Sequence, residues 1–182
     1  MKKSAHGFTL VELLVVIAII AILAAVVVLI VNPLELTKRG RDSARLSDLA
    51  NLQQAINVTI QESTGTSLLC DGVASPATCT GTSAPVVAGT TRNVDGTGWV
   101  KVNLTGSAVS IPTLPIDPTN STGGTGFHYT YCADQSLATP TWKVETALES
   151  AQQSPKMAAD GGNSTTLYEV GNANLATFAC SY

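Results

Sequence analysis

The sequence predicts an α+β protein: a long hydrophobic N-terminal helix whose C-terminal half packs on a small antiparallel β-sheet head. Three observations carry that prediction. From Leu13 to Val31 run nineteen consecutive residues without a polar side chain. Next, Leu46, Leu49, Leu52, Ile56 and Ile60 recur at spacings of three and four, which places one apolar stripe along a second helical stretch. Beyond Gly65 the chain breaks into short apolar stretches separated by Gly, Pro, Asn, Asp and Ser, the pattern of small antiparallel strands joined by turns.

Counted back to Phe8, the apolar segment is 24 residues long, interrupted only by Thr9 and Glu12. As a helix it measures roughly 36 Å at ~1.5 Å per residue, enough to cross a hydrocarbon core of about 30 Å. A secretory signal peptide has a shorter apolar stretch followed by a small-residue cleavage site. A plain signal anchor fits the length but leaves Glu12 unexplained, because a carboxylate within a spanning segment costs about 2–3 kcal/mol, less near an end. Glu12 therefore requires a partner. The lysines at Lys2 and Lys3 serve as a positive-inside anchor in any reading.

The block Lys2-Lys3-Ser4-Ala5-His6-Gly7-Phe8-Thr9-Leu10-Val11-Glu12 resembles the class III signal of type IV prepilins and pseudopilins. In that family a short basic leader is cut on the cytoplasmic side after a glycine. The new N-terminal residue, usually phenylalanine, is N-methylated, and a glutamate follows four residues later. The resemblance implies Gly7 as the residue before the cut, Phe8 as the methylated terminus and Glu12 as the filament-assembly carboxylate. Cleavage would create an α-amine about one helical turn from Glu12, giving each helix end one cation and one anion in apolar surroundings. The amine of one chain and the carboxylate of another then satisfy each other in low dielectric and set the register. The basic group Lys38, Arg39, Arg41 and Arg45 lies beyond the span and by charge alone favours the opposite orientation; the leader motif is given precedence.

Four segments follow: a leader at 1–7, a transmembrane and assembly helix at 8–31, an amphipathic stalk helix at 32–64, and an extracytoplasmic β-rich head at 65–182. Asn32-Pro33 should interrupt the helix, because proline lacks an amide donor and biases its predecessor away from helical angles. The amphipathic helix should end near Ser63 to Gly65. Three strands are expected, at Trp99 to Leu104, Phe127 to Cys132 and Trp142 to Leu148. The basic group reads as a solvated helix face, or as a contact for lipid headgroups or acidic neighbours. The stretch Leu114-Pro115-Ile116-Asp117-Pro118 is similar to a proline-flanked loop of type II secretion major pseudopilins.

All four cysteines, Cys70, Cys79, Cys132 and Cys180, fall in the head, with no CxxC pair and no nearby histidine to suggest zinc. Disulfides in an oxidising compartment are expected. The short loop favours Cys70 with Cys79, leaving Cys132 for Cys180; free buried thiols are the alternative. The likeness to pseudopilins makes calcium the one cofactor to weigh, with Asp117, Asp134 and Asp160 as weak candidates, although no run has EF-hand spacing and turn roles suit these residues better. Otherwise no cofactor is expected. His6 leaves with the leader, so His128 alone would have to serve any Ser-His-Asp or Cys-His apparatus, and no P-loop, HExxH or dinucleotide fingerprint is present. No catalytic residue is assigned and no enzyme is expected. Beyond Ser63 four basic residues face eight acids, which disfavours general binding of nucleic acid.

The resemblance implies a structural filament subunit. Its partners are copies of itself and related pilins, prepilin peptidase, the membrane and an inner-membrane assembly machinery. Its location is the membrane before assembly and a cell-surface or periplasmic filament after it. The alternative is a monomeric, membrane-anchored extracytoplasmic module that binds glycan or Ca2+ and never polymerises.

Overall fold

The computed structural model describes residues 7–63, 69–71, 78–86, 89, 91–109, 111–122, 126–136, 140–172 and 175–180. Apart from Gly7, the expected leader lies outside the described residues. The chain forms an α+β fold divided into two compact units, Met1–Thr37 and Lys38–Tyr182.

In the first unit, helix α1 spans Leu10–Val31. Twenty-two residues rise ~33 Å, and apolar side chains occupy every side of the cylinder rather than one stripe. It ends at Asn32, whose φ of 38° is left-handed. Asparagine tolerates that conformation better than most residues, and Pro33, with its fixed φ and missing donor, suits the first position of the next helix. The Asn32 Oδ1 accepts from the Glu35 amide at 3.4 Å, so one residue closes α1 and opens α2, Pro33–Glu62. The interruption falls where Asn32-Pro33 predicts it.

The second unit is built on a four-stranded antiparallel meander in the order β1 (Thr78–Thr82), β2 (Thr130–Asp134), β3 (Thr141–Thr146) and β4 (Tyr168–Gly171). Because side chains alternate along a strand, register assigns the faces. Cys79, Ala133 and Trp142 align across three strands, as do Tyr131, Val144 and Val170, and these residues share the core with Leu49, Leu52, Ala55 and Ile56 of α2. Burying each large side chain contributes about 1.5–3 kcal/mol. The opposite face carries Cys132, Lys143, Glu145 and Glu169. All six β3 residues are buried, so both faces of the sheet are covered at its centre.

Two expectations about strands need correction. Trp99 to Leu104 is not a strand. Val100, Val102 and Leu104 are buried while Lys101 and Asn103 are not, so the alternation reports burial correctly. The backbone, however, bonds to loops: Trp99 N to Thr91 O at 3.1 Å, Leu104 N to Val94 O at 2.7 Å, and Lys101 O from Asp71 N at 2.7 Å. A single bridge, Asp95 with Asn103, is all the pairing it has among the described residues. Conversely, β1 and β4 were not expected. The β1 sequence Thr-Cys-Thr-Gly-Thr has no apolar alternation, and Gly81 is there because a Cβ would lie 2.1 Å from the Trp99 carbonyl oxygen. In β4 a buried Glu169 breaks the pattern.

The buried stripe of α2 also differs from the apolar one. Leu46 and Ile60 are only half-buried, and the stripe continues from Leu49 to Arg45 and Asp42, both fully buried. Arg45 donates from Nε and Nη2 to Asp117 at 2.6 and 2.9 Å, and from Nη1 to Asp42 at 2.8 Å. Its Nη1 also meets Glu149 at 2.6 Å, and the guanidinium lies 4.7 Å from the centre of the Phe127 ring. Arg41 grips Glu149 through two hydrogen bonds of 2.8 and 2.5 Å. Asp42 accepts from the backbone amides of Glu149 and Ser150. The reading of this basic group as a solvated face is therefore wrong for Arg45 and Arg41, which anchor α2 to the loops at Asp117 and Glu149. Apart from Asp42, three residues before Arg45, their acidic partners lie 72 to 108 residues away in sequence.

Removing one member of a buried ion cluster leaves uncompensated charge and costs about 3–5 kcal/mol. Arg45→Met should lower the stability of the head by that amount, measured by urea denaturation in micelles through the signals of Trp99 and Trp142. The Arg41 guanidinium holds the Glu149 carboxyl below the usual carboxylate range against the opposing effect of burial, and Arg45 adds to this. A lowered native pKa gives stability that is complete above the unfolded value, about 4, and is lost as pH falls through the native one. The stability gap between wild type and Glu149→Gln should thus be widest at neutral pH and close below about pH 4.

Candidate functional site

The N-terminal turn of α1 holds the site residues assigned from sequence. Gly7 and Phe8 are exposed, outside the helix, and the backbone at Gly7 has open space around it. The Gly7–Phe8 bond thus lies in non-helical chain immediately before Thr9, the helix N-cap. Glu12 occupies the third helical position, one turn beyond Phe8.

Glu12 is also part of the helix cap. Thr9 Oγ1 accepts from the Glu12 amide at 3.2 Å, and Glu12 Oε2 accepts from the Thr9 amide at 2.9 Å and from the Thr9 hydroxyl at 2.7 Å. This reciprocal capping box satisfies two amides that a helix start leaves without partners. The signal was in the sequence, since Thr followed three residues later by Glu before an apolar run is its signature. Glu12 also lies at the positive end of the helix dipole, which favours a carboxylate there. The carboxylate is thereby held in one orientation, with both hydrogen bonds on Oε2.

Around this turn the helix surface is apolar and uncovered. Phe8 and Leu10 are each 78% exposed, and exposed Leu, Ile and Val side chains continue to Leu36. Residues Leu10–Val28 have a mean hydropathy of 3.2 and are long and apolar enough to cross a membrane.

The other assigned residues lie in the head and are not gathered into one site. Cys70 is bonded to Cys79, with Cα atoms 5.7 Å apart, and Cys132 to Cys180, with Cα atoms 5.8 Å apart. Asp117 is bound on both carboxylate oxygens by Arg45 and also accepts from the amides of Thr119 and Asn120. Asp134 accepts from the amide and hydroxyl of Ser136, closing a turn after β2. Asp160 accepts from the amides of Gly162 and Glu169. Among the described residues no group of three or more His, Cys, Asp or Glu side chains is placed to hold a metal ion. His128 is half-buried just before β2, and its Nδ1 has no hydrogen-bond partner among the described residues.

Residues 2–28 match the family model of the prokaryotic N-terminal methylation motif. The match supports a class III signal of the type IV pilin kind in the N-terminal segment. The match covers Gly7, Phe8, the capping box and the apolar helix as far as Val28, so the pilin-like signal and the exposed helix are one continuous feature. It supports a type IV pilin-like protein processed by prepilin peptidase, and it fits anchoring in a membrane through α1. No curated protein and no solved structure matches the chain.

Thr9→Ala removes the cap and should destabilise the first turn of the pilin-like helix by about 0.5–2 kcal/mol. Faster amide exchange at Leu10 to Glu12 in micelles, with the rest of α1 unchanged, is the expected result.

Proposed function

We propose that the chain is a structural subunit of a type IV pilus or pseudopilus filament, cut after Gly7, N-methylated at Phe8 and polymerised through α1. The observation that carries this reading is a single oriented carboxylate at the N-terminal turn of a helix that is otherwise apolar on every side. Such a helix is tolerated in lipid or among other apolar helices, and water favours neither its surface nor its exposure. Moving it from lipid into a filament core gains little from hydrophobicity, because lipid tails are already apolar; helix packing and polar matching must supply the preference.

The polar match has a specific form. Cleavage leaves the Phe8 α-amine beside the positive end of the helix dipole, where a cation is disfavoured. The neighbouring Glu12 is already engaged with Thr9 through Oε2. In a filament, the amine of an incoming chain meets the Glu12 carboxylate of a chain already in place, and each charge loses the cost of standing alone in low dielectric. The partners in this reading are prepilin peptidase, an inner-membrane assembly machinery and other pilin copies. The head is extracytoplasmic, a setting in which its two disulfides persist. The function requires no catalysis and no cofactor.

Two experiments bear on it. N-terminal sequencing of the mature protein should begin at a methylated Phe8; an intact leader on functional protein points instead to a tethered monomeric module. Glu12→Gln is the sharper substitution, because Gln also serves in a capping box and so preserves the helix start while removing the charge. Filament yield should fall by two orders of magnitude or more, corresponding to the roughly 3–5 kcal/mol of an unmatched buried charge. Normal filaments from Glu12→Gln would refute the ionic match.

A further inference from the structure

The sheet face turned away from α2 carries a buried cluster that filament assembly does not use. Lys143 on β3 is 2% exposed, and its side chain points to that face because its neighbours Trp142 and Val144 point into the core. Its Nζ donates to Glu169 Oε1 on β4, and it lies 3.1 Å from Glu145 Oε2, two residues along its own strand. The third partner is the carboxamide of Asn163, whose Oδ1 is 2.8 Å from Nζ. Since a C=O bond is about 1.2 Å long, the Asn163 carbonyl carbon lies no more than about 4 Å from the lysine nitrogen.

The loop that delivers Asn163 is held in place from several sides. Asp160 accepts from the amides of Gly162 and Glu169, and Glu169 Oε2 accepts from the Ser164 amide at 2.8 Å. Gly162 allows this closure, because a Cβ there would lie 1.9 Å from Glu169 Oε2. An amine nucleophile, an amide carbonyl and two carboxyl groups are therefore fixed together, the amine and both carboxyl groups being buried. Glu145 Oε1 is buried with no hydrogen-bond partner among the described residues, and burial pushes the Glu145 carboxyl up despite the neighbouring lysine. Asn163 itself is exposed, so a small leaving group has a path to solvent.

We infer that Lys143 and Asn163 form an intramolecular isopeptide bond that joins β3 to the loop preceding β4. Lys143 Nζ, after giving a proton to Glu169, which it already contacts, attacks the Asn163 carbonyl carbon, with Glu145 Oε2 the second carboxyl group at the amine. The Nζ–Cγ bond forms and the Cγ–Nδ2 bond breaks. Of the protons originally on the lysine ammonium, one stays on the new amide nitrogen and two leave with Nδ2, so ammonium departs and no oxidant or co-reactant is needed. Alignment of the groups within reacting distance supplies the rate, as in other intramolecular acyl transfers.

Peptide mapping of the full-length mature chain tests this directly. After reduction and alkylation, which remove the Cys132–Cys180 link, trypsin acts on denatured protein at Lys101, Lys143 and Lys156. The expected product has no cut after Lys143, and residues 102–156 stay joined to 157–182 with a mass lower than the sum by about 17 Da, one ammonia. Separate peptides ending at Lys143 and beginning at Met157, each of full mass, would overturn the inference. Lys143→Arg keeps the positive charge but blocks the bond; trypsin should then cut after residue 143 and release 157–182 with its carboxamide intact. A wild-type 157–182 peptide that is unlinked yet lacks ammonia would instead mark backbone cyclisation at Asn163, which also overturns it. The wild-type map decides the matter even if the variant fails to fold.

Discussion

A helix that is apolar on every side has no stable place in water, and the organisation of this protein follows from that constraint. Burial against its own chain would require a stripe, whereas α1 presents Leu, Ile and Val all round. Its surface must be covered by lipid or by other helices. Within such surroundings every polar group stands out energetically, which is why Thr9 and Glu12 matter out of proportion to their number. The capping box removes two unsatisfied amides and orients one carboxylate, so the helix start is at once a structural cap and a charged mark at a defined depth.

The head solves a different problem. Its core is small, and the sheet is flanked by long loops rich in Thr, Ser and Gly. Specific polar contacts therefore do much of the positioning. The Arg45 guanidinium gathers Asp42, Asp117 and Glu149 into one buried cluster, tying α2 to two loops distant in sequence. A cluster of this kind adds less to stability than apolar packing of equal volume would, but breaking it is costly, so it restricts the loops to one arrangement. Asp117 illustrates the consequence. Its oxygens, which in isolation resemble loop ligands for a cation, are committed to Arg45 and to the amides that follow it.

The two faces of the sheet differ in kind. One joins α2 through Trp142, Val144 and Tyr131; the other carries Lys143, Glu145 and Glu169 beneath the loop at Asp160 to Ser164. Covalent ties accompany the second face, since Cys132 lies on it and is bonded to Cys180 near the C-terminus. Cross-links that close the chain's later segments onto the central strands resist unravelling from that end.

Local features of this protein were legible in its sequence because their causes are local. The apolar run, the Asn32-Pro33 interruption and the spacing of Gly7, Phe8 and Glu12 each depend on neighbours within a turn or two, and the capping box at Thr9 was equally readable. The alternation at Val100, Val102 and Leu104 correctly signalled burial, but periodicity does not say where the backbone bonds go, and here they go to loops rather than to a strand. Strand β1, polar and short, had no signal of its own; pairing with β2 and the close approach of Trp99 to Gly81 made it a strand. Arg45 and Lys143 are the clearest cases, since a charged side chain reads as a surface residue until its partners are known. The sequence by itself determined the apolar helix and the polar residues that mark its start, through period and short-range spacing. Only the tertiary structure decided which charges are buried and with whom they pair, because those partners are brought together by folding across tens of residues.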